Sequence, residues 1–256
     1  MRDARLLMAF ALGIDVGRLT LVAHDPLPED RRKFFMDLVE ERERRRPVSQ
    51  LVGGRWFRGR WFTVTGHTLD PRPDTELLVD LALEEPFTRV LDLGTGTGAI
   101  VVTLLAEKAG AIGVGTDISA EAVLIAGENA TRHGVADRLV LPLSEWWDDV
   151  GGSYDLIVSN PPYIAAEEMD ELQPEVRDWE PRIALTDESD GLTAYREIAK
   201  GALDHLRDGG RLIVEIGHTQ ADAVSKLFIA AGLRDVRISK DLDGRDRCVQ
   251  ARAIFS

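Results

Sequence analysis

The run Val90-Leu91-Asp92-Leu93-Gly94-Thr95-Gly96-Thr97-Gly98-Ala99-Ile100 restricts the fold more than any other stretch of this chain. A short apolar strand passes directly into a glycine-rich turn and then into an apolar helix. Gly94 permits the tight turn, Gly96 lets a ligand come up against the backbone, and Gly98 allows close helix packing. The free N–H groups at the helix start favour a carboxylate or phosphate there. The next apolar run ends in Asp117, 21 residues after Gly96, where a carboxylate can accept hydrogen bonds from ribose hydroxyls. From Arg89 onward, strand-like runs at 89–93, 112–117, 138–143, 154–159, 211–216, 234–239 and 247–254 alternate with helix-like ones. Seven strands with helices between them predict a doubly wound α/β sheet.

The glycine spacing does not choose the ligand. Gly94-x-Gly96-x-x-Ala99 also satisfies the looser dinucleotide fingerprint, so a nicotinamide-dependent oxidoreductase is a rival reading. Asn160-Pro161-Pro162-Tyr163, directly after Leu156-Ile157-Val158, decides between them. A strand ending this way offers an amide oxygen, proline carbonyls and an aromatic face at one edge. That is a cradle for a planar NH2 group, held by Asn160 and the Pro161 carbonyl with Tyr163 on its flat face. Hydride transfer has no use for such a cradle. Methyl transfer from the sulfonium of S-adenosylmethionine to nitrogen needs one, so the two motifs together indicate an N-methyltransferase. Both must then face one pocket where the first and fourth sheet strands end.

With these motifs in place the chain resembles the peptide chain release factor N5-glutamine methyltransferases, the PrmC/HemK family. The resemblance runs through Pro71-Arg72-Pro73-Asp74-Thr75-Glu76, the glycine loop, Thr116-Asp117-Ile118-Ser119, Asn129-Ala130 and Ile157 to Ile164. It continues through Glu180-Pro181, Asp190-Gly191-Leu192, Tyr195-Arg196, Glu215-Ile216-Gly217 and Lys240-Asp241-Leu242-x-Gly244-Arg245-x-Arg247. It implies a Rossmann-like class I methyltransferase domain over 73–256, a β-hairpin linker over 47–72, and a small helical substrate-binding domain over 1–46. In relatives this domain begins with an additional helix; here the match begins late, which implies a shortened or misannotated N-terminus. The implied substrate is the glutamine in the Gly-Gly-Gln loop of class 1 release factors, and the implied cofactor is S-adenosylmethionine.

The same resemblance assigns roles. Gly94, Thr95, Gly96, Thr97 and Gly98 would hold the methionine part of the cofactor, Asp117 the ribose, and Asp92 the amino group through water. Trp146 would border the adenine, with Trp147 as the neighbouring candidate. Asn160, Pro161, Pro162 and Tyr163 would hold the glutamine, and Arg72 and Thr75 would roof it. Asp74 stands where relatives carry Glu, and Asp70 where they carry an apolar residue. No residue stands out as a general base.

Composition narrows the alternatives. With 31 Lys and Arg against 44 Asp and Glu, the net charge of −13 disfavours stable nucleic-acid binding, and with it a nucleic-acid amino-group methyltransferase. A non-catalytic, cofactor-binding interaction module is the third reading, and the intact NPPY and glycine loops speak against it. One cysteine, Cys248, excludes an internal disulfide and fits a reducing, cytoplasmic setting. The five histidines lack metal-ligand spacing, and no segment has transmembrane length. A monomer without bound metal is expected. Residues 1–46 read as helical, with Phe34, Phe35, Leu38 and Val39 on one core-facing stripe, and Trp56 to Val64 as a hairpin.

Overall fold

In the computed structural model, which describes residues 2–255, the chain opens with helices α1 (Arg2–Leu12), α2 (Glu29–Glu43) and α3 (Val48–Val52). A 3-10 turn at Val16–Val22 separates the first two. Leu7, Ala11 and Leu38 form their shared core, with Phe35, Val48, Leu51 and Val52 packed around it. The helical cluster therefore extends past residue 46, and the segment expected as linker begins with α3. Phe34, expected on the core stripe, is 40% exposed, with its ring 5.8 Å from Phe10. α2 packs chiefly on α1 and α3, so a narrower stripe than the sequence offers suffices to cover it.

Strands β1 (Gly54–Phe57) and β2 (Arg60–Thr63) make the expected hairpin. Its two turn residues, Arg58 and Gly59, both have positive φ, 49° and 71°, the primed turn that matches strand twist. An arginine is strained there, and two acids of the next helix hold it. Glu76 accepts the Arg58 N–H at 2.9 Å and Asp80 pairs with its guanidinium at 2.6 Å.

There follow α4 (Glu76–Leu83), β3 (Arg89–Leu93), α5 (Ala99–Glu107), β4 (Ile112–Thr116), α6 (Ala120–Arg132), β5 (Leu139–Val140) and β6 (Tyr154–Ser159). The chain ends with α7 (Pro174–Arg177), α8 (Thr193–His205), β7 (Leu206–Glu215), α9 (Ala221–Ala230), β8 (Arg234–Lys240) and β9 (Asp246–Arg252). Seven strands form one sheet in the order β5-β4-β3-β6-β7-β9-β8, with β9 antiparallel to both of its neighbours and the remaining pairs parallel. Central strands covered on both faces are near-continuously apolar. Val90, Leu91 and Leu93 of β3 and Leu156, Ile157 and Val158 of β6 are fully buried, each contributing about 1.5–3 kcal/mol. One face packs Leu78, Val79, Val101 and Leu104 of α4 and α5. The other packs Tyr195, Ile198, Val224 and Phe228 of α8 and α9. Cys248 is buried within the first core.

Two strands differ from expectation. The run 138–143 yields only β5 and a single bridge between Asp117 and Leu143, because Pro142 has no N–H to give to a ladder. β7 starts at Leu206, five residues early, through a polar stretch in which Gly209 and Gly210 bond to Ala253 at 2.8 and 2.9 Å. The other strand ends shift by up to two residues. No helix is long and apolar enough to cross a membrane.

The strand order carries the functional consequence. From β3 the chain steps outward to β4 and β5, then returns to β6 on the opposite side of β3. Connections diverge there, so a crevice opens beyond the carboxyl ends of β3 and β6.

Candidate active site

That crevice is a cavity of about 490 Å³. Gly94 and Asn160, at the ends of the two adjacent strands, both line it, as the two motifs required. Thr95, Gly96, Thr97, Asp117, Trp146, Pro162, Arg72 and Thr75 line it as well. Asp92, Gly98, Pro161 and Tyr163 do not, so Pro161 and Tyr163, expected in the cradle, stand off the cavity wall.

The glycine loop is braced from behind. The Thr95 N–H donates to the Thr116 carbonyl and the Gly98 N–H to the Thr95 carbonyl, each at 2.8 Å. The Thr95 hydroxyl donates to Asp92 Oδ2 at 2.7 Å. Asp92 is fully buried and its Oδ1 has no hydrogen-bond partner. Burial pushes its pKa up to about 7, against the pull of the Thr95 hydroxyl. Gly98 has φ 77°, and a Cβ there would meet Ala126 and Val102 at 3.2 Å, so this position sets the approach of α5 to α6. Asp117 accepts the Gly96 N–H at 2.8 Å and the Ser119 N–H at 3.0 Å, which fixes its carboxylate at the cavity wall. Burial raises its pKa and these N–H groups oppose the rise.

Both tryptophans pack against the second core, and only Trp146 reaches the cavity. Trp146, held at φ 47°, lines the cavity. Trp147 turns into the second core, donates to the Glu197 carbonyl at 2.7 Å and stacks on His205 at 4.8 Å.

At the end of β6, Asn160 Nδ2 donates to the Thr75 hydroxyl at 3.3 Å. Its Oδ1 is buried and has no hydrogen-bond partner. An unpaired buried carbonyl oxygen costs about 1–3 kcal/mol, so this atom is poised to accept from a donor entering the cavity. Tyr163 packs against the second core, and its hydroxyl lies 3.5 Å from Glu215 Oε1. It stands behind the cavity wall, where burial raises its pKa.

The roof comes from segments far apart in sequence. Arg72 Nη2 lies 2.6 Å from both oxygens of Glu180, which is 6% exposed. Burial drives Glu180 up to about 7, and Arg72 opposes it. Pro181, Ile183, Thr186 and Glu188 continue the wall. Asp70 also lines the cavity, but one of its oxygens is tied to the Ser49 hydroxyl and to Arg55, which anchors that wall to the helices and the hairpin. The helical region is clasped to the roof segment itself. Glu175 pairs with Arg42 at 3.0 Å and Arg45 at 2.6 Å, Gln50 donates to the Trp179 carbonyl at 2.9 Å, and Arg46 lies over the Trp179 ring. Glu180, Glu215 and the 181–188 wall carry no periodic signal, and the motif resemblance alone marked the first two.

Comparison with known proteins agrees with this geometry. The PrmC N-terminal domain family matches residues 1–53 and the methyltransferase small domain family matches residues 67–174. The release factor glutamine methyltransferase of Cereibacter sphaeroides is 57% identical over 98% of this chain and 90% of its own length. That of Caulobacter vibrioides is 42% identical over 96% and 87%. A methyltransferase structure from Pyrococcus furiosus superimposes with a TM-score of 0.62 at 17% identity, over 84% of this chain and 99% of that one, and so supports the fold. The chain is a methyltransferase and belongs to the release factor glutamine methyltransferase family.

Proposed function

We propose that this protein transfers a methyl group from S-adenosylmethionine to the side-chain nitrogen, N5, of the glutamine in the Gly-Gly-Gln loop of class 1 release factors. The observation that carries the reading is Asn160, whose buried amide oxygen has no hydrogen-bond partner, lining the same cavity as the glycine loop. The names of the relatives supply the substrate class.

The residues fit the cofactor. The Asp117 carboxylate suits ribose hydroxyls, the glycine loop from Gly94 to Gly98 lets the amino-acid part come up against the backbone, and Trp146 and Ile118 offer apolar surface for an adenine. When bound, the cofactor supplies a methyl group on a positively charged sulfur. An amide nitrogen is a poor nucleophile because its lone pair is delocalised into the carbonyl. Asn160 Oδ1 accepts an N–H group of the substrate, draws electron density onto nitrogen and fixes its approach. Positioning of this kind is worth up to about 7–11 kcal/mol. Tyr163 supports the cradle from behind, and Arg72 and Thr75 close it from above. The proton leaves with or after the methyl group, to a cradle acceptor or to water.

The test is transfer of labelled methyl from S-adenosylmethionine to purified release factors, their loop Gln→Ala variants, DNA and RNA. Label confined to the wild-type release factor is the expected result. Label on nucleic acid, or on the Gln→Ala variant, overturns the reading.

A further inference from the structure

The tail motif Lys240-Asp241-Leu242-x-Gly244-Arg245-x-Arg247 lies off the cavity, and the steps above leave it unused. It forms the turn between β8 and β9. The Asp241 N–H donates to the Arg245 carbonyl at 2.9 Å and the Gly244 N–H to the Asp241 carbonyl at 3.0 Å. The two carboxylate oxygens of Asp241 have separate partners. Oδ1 accepts the N–H groups of Asp243 and Arg245 at 3.0 and 2.9 Å, which closes the turn. Oδ2 takes Nε and Nη2 of Arg247 at 3.3 and 3.2 Å, which sets the direction of that guanidinium. Nη2 then reaches Asp74 Oδ2 at 3.1 Å, and so joins β9 to the segment before α4. Arg247 is enclosed, with a side chain 10% exposed, while Asp74 is half in solvent. A guanidinium already aligned by one acid gives up less freedom in meeting a second than a free surface arginine does.

Asp74 belongs to the short 3-10 turn Pro73–Thr75, which thereby has three attachments. Arg72, just before it, pairs with Glu180; Asp74 pairs with Arg247; and the Thr75 hydroxyl accepts from Asn160 Nδ2 at 3.3 Å. Arg72, Thr75 and Asn160 line the cavity, and Asp74 does not. The pair with Arg247 therefore holds the roof from outside. At 3.3 Å the bond between Asn160 and Thr75 is a long one, too weak to keep the turn in place by itself. We infer that Arg247 is a positioning residue which, through Asp74, holds the Pro73–Thr75 turn so that Thr75 keeps its contact with the Asn160 amide. Its effect on turnover rests on the acceptor role proposed for Asn160. The glycine loop and Asp117 have braces of their own, so cofactor binding does not depend on this clamp.

Asp74→Ala and Arg247→Met remove the clamp from its two ends. With release factor as substrate, each is expected to lower kcat roughly 10–10²-fold with KM for S-adenosylmethionine unchanged, the scale of a displacement of about 1 Å near a reacting group. The double variant loses no more than the larger single loss, because both changes break one contact. Asp74→Glu keeps an acid within reach of Arg247 and retains most of kcat. If Arg247→Met misfolds, the half-exposed Asp74 carries the test alone. A second readout needs no release factor. The only asparagines are Asn129 and Asn160, so isotope-labelled asparagine gives two side-chain amide groups in a nitrogen-correlated NMR spectrum. Asp74→Ala is expected to shift the Asn160 signal and leave that of Asn129 in place. Wild-type turnover in Asp74→Ala, or an unmoved Asn160 signal, overturns the inference. So does a loss confined to Arg247→Met, which would tie Arg247 instead to the buried Glu215, opposite Cys248 in the sheet. Failure of the wild-type enzyme to label release factor overturns the substrate reading, and the NMR comparison still decides the role of Arg247.

Discussion

Arg72 reaches both carboxylate oxygens of Glu180 with a single guanidinium nitrogen, and this pair joins the segment before β3 to the segment after the NPPY turn above the cavity. Glu180 is the more enclosed partner, with a side chain 2% exposed against 29% for Arg72.

Arg72→Ala therefore leaves a buried carboxyl without its counter-ion. The expected loss of stability is about 2–3 kcal/mol, below the range for a fully enclosed pair because Arg72 is partly solvated. Its pH dependence has a definite sign. A carboxyl whose folded pKa lies above its unfolded value of about 4.3 loses stability as pH rises between the two. Wild type already shares this loss up to about 7; with Arg72 gone the folded value rises beyond that, so the variant's deficit relative to wild type opens as pH rises through about 7 and is smallest at acid pH. Urea unfolding across this range checks it, and Glu180→Gln in the Arg72→Ala background should flatten the curve. A deficit of equal size at every pH would rule the explanation out.

Asn160→Ala should lower kcat by roughly 10²–10³, the loss expected for one preorganised polar contact at a reacting group. KM for S-adenosylmethionine should change little. Single-turnover methylation of a release factor measures the effect, and near-normal turnover would remove Asn160 from the cradle.

Asp117→Ala should weaken binding of S-adenosylhomocysteine about 10–10²-fold, the value of losing hydrogen bonds to a charged group. The variant also frees the Gly96 N–H, so the loop itself loosens. Titration calorimetry reads the affinity directly. An unchanged dissociation constant would mean that this carboxylate serves only to brace the glycine loop.

Asn129 ties the hairpin to the same loop. Its amide donates to the Thr63 and Thr97 carbonyls at 3.2 and 2.9 Å, and its oxygen accepts the Thr63 N–H at 2.8 Å. Asn129→Ala should cost about 1–3 kcal/mol by leaving these groups unpaired. Asn129→Asp should cost more, since it sets a carboxylate oxygen against two carbonyls. Thermal unfolding of the two variants, side by side, tests the order.

The elements most legible in the sequence were those whose pattern is set by burial alone. β3 and β6 are short, mostly apolar runs, interrupted by Asp92 and Asp155, and both appear at 89–93 and 154–159 as expected. β5 is shorter than its apolar run because the residues on both sides of Pro142 resemble one strand until the missing donor is counted. β7 is longer than its apolar run because its polar first residues pair with partners distant in sequence, Leu206 with Tyr154 and Gly209 and Gly210 with Ala253 just past β9. At the site, glycine spacing located the loop, and Asn160, Pro162, Arg72 and Thr75 fell on the cavity wall. Tyr163 did not, because spacing places a residue at a strand end without fixing the side to which its ring turns. Glu180 and Glu215 are enclosed by elements that only the folded chain brings together, and no local pattern announces that.

The clasp between the opening helices and residues 175–180 has a consequence for building hybrids of this enzyme. Arg42, Arg45 and Gln50 hold the very strand of chain that carries Glu180, so a transplanted helical cap brings its own grip and loses the native handhold. A hybrid that takes its first 53 residues from a relative must import that relative's counterpart of 175–180 as well, or its reaction chamber will be left ajar.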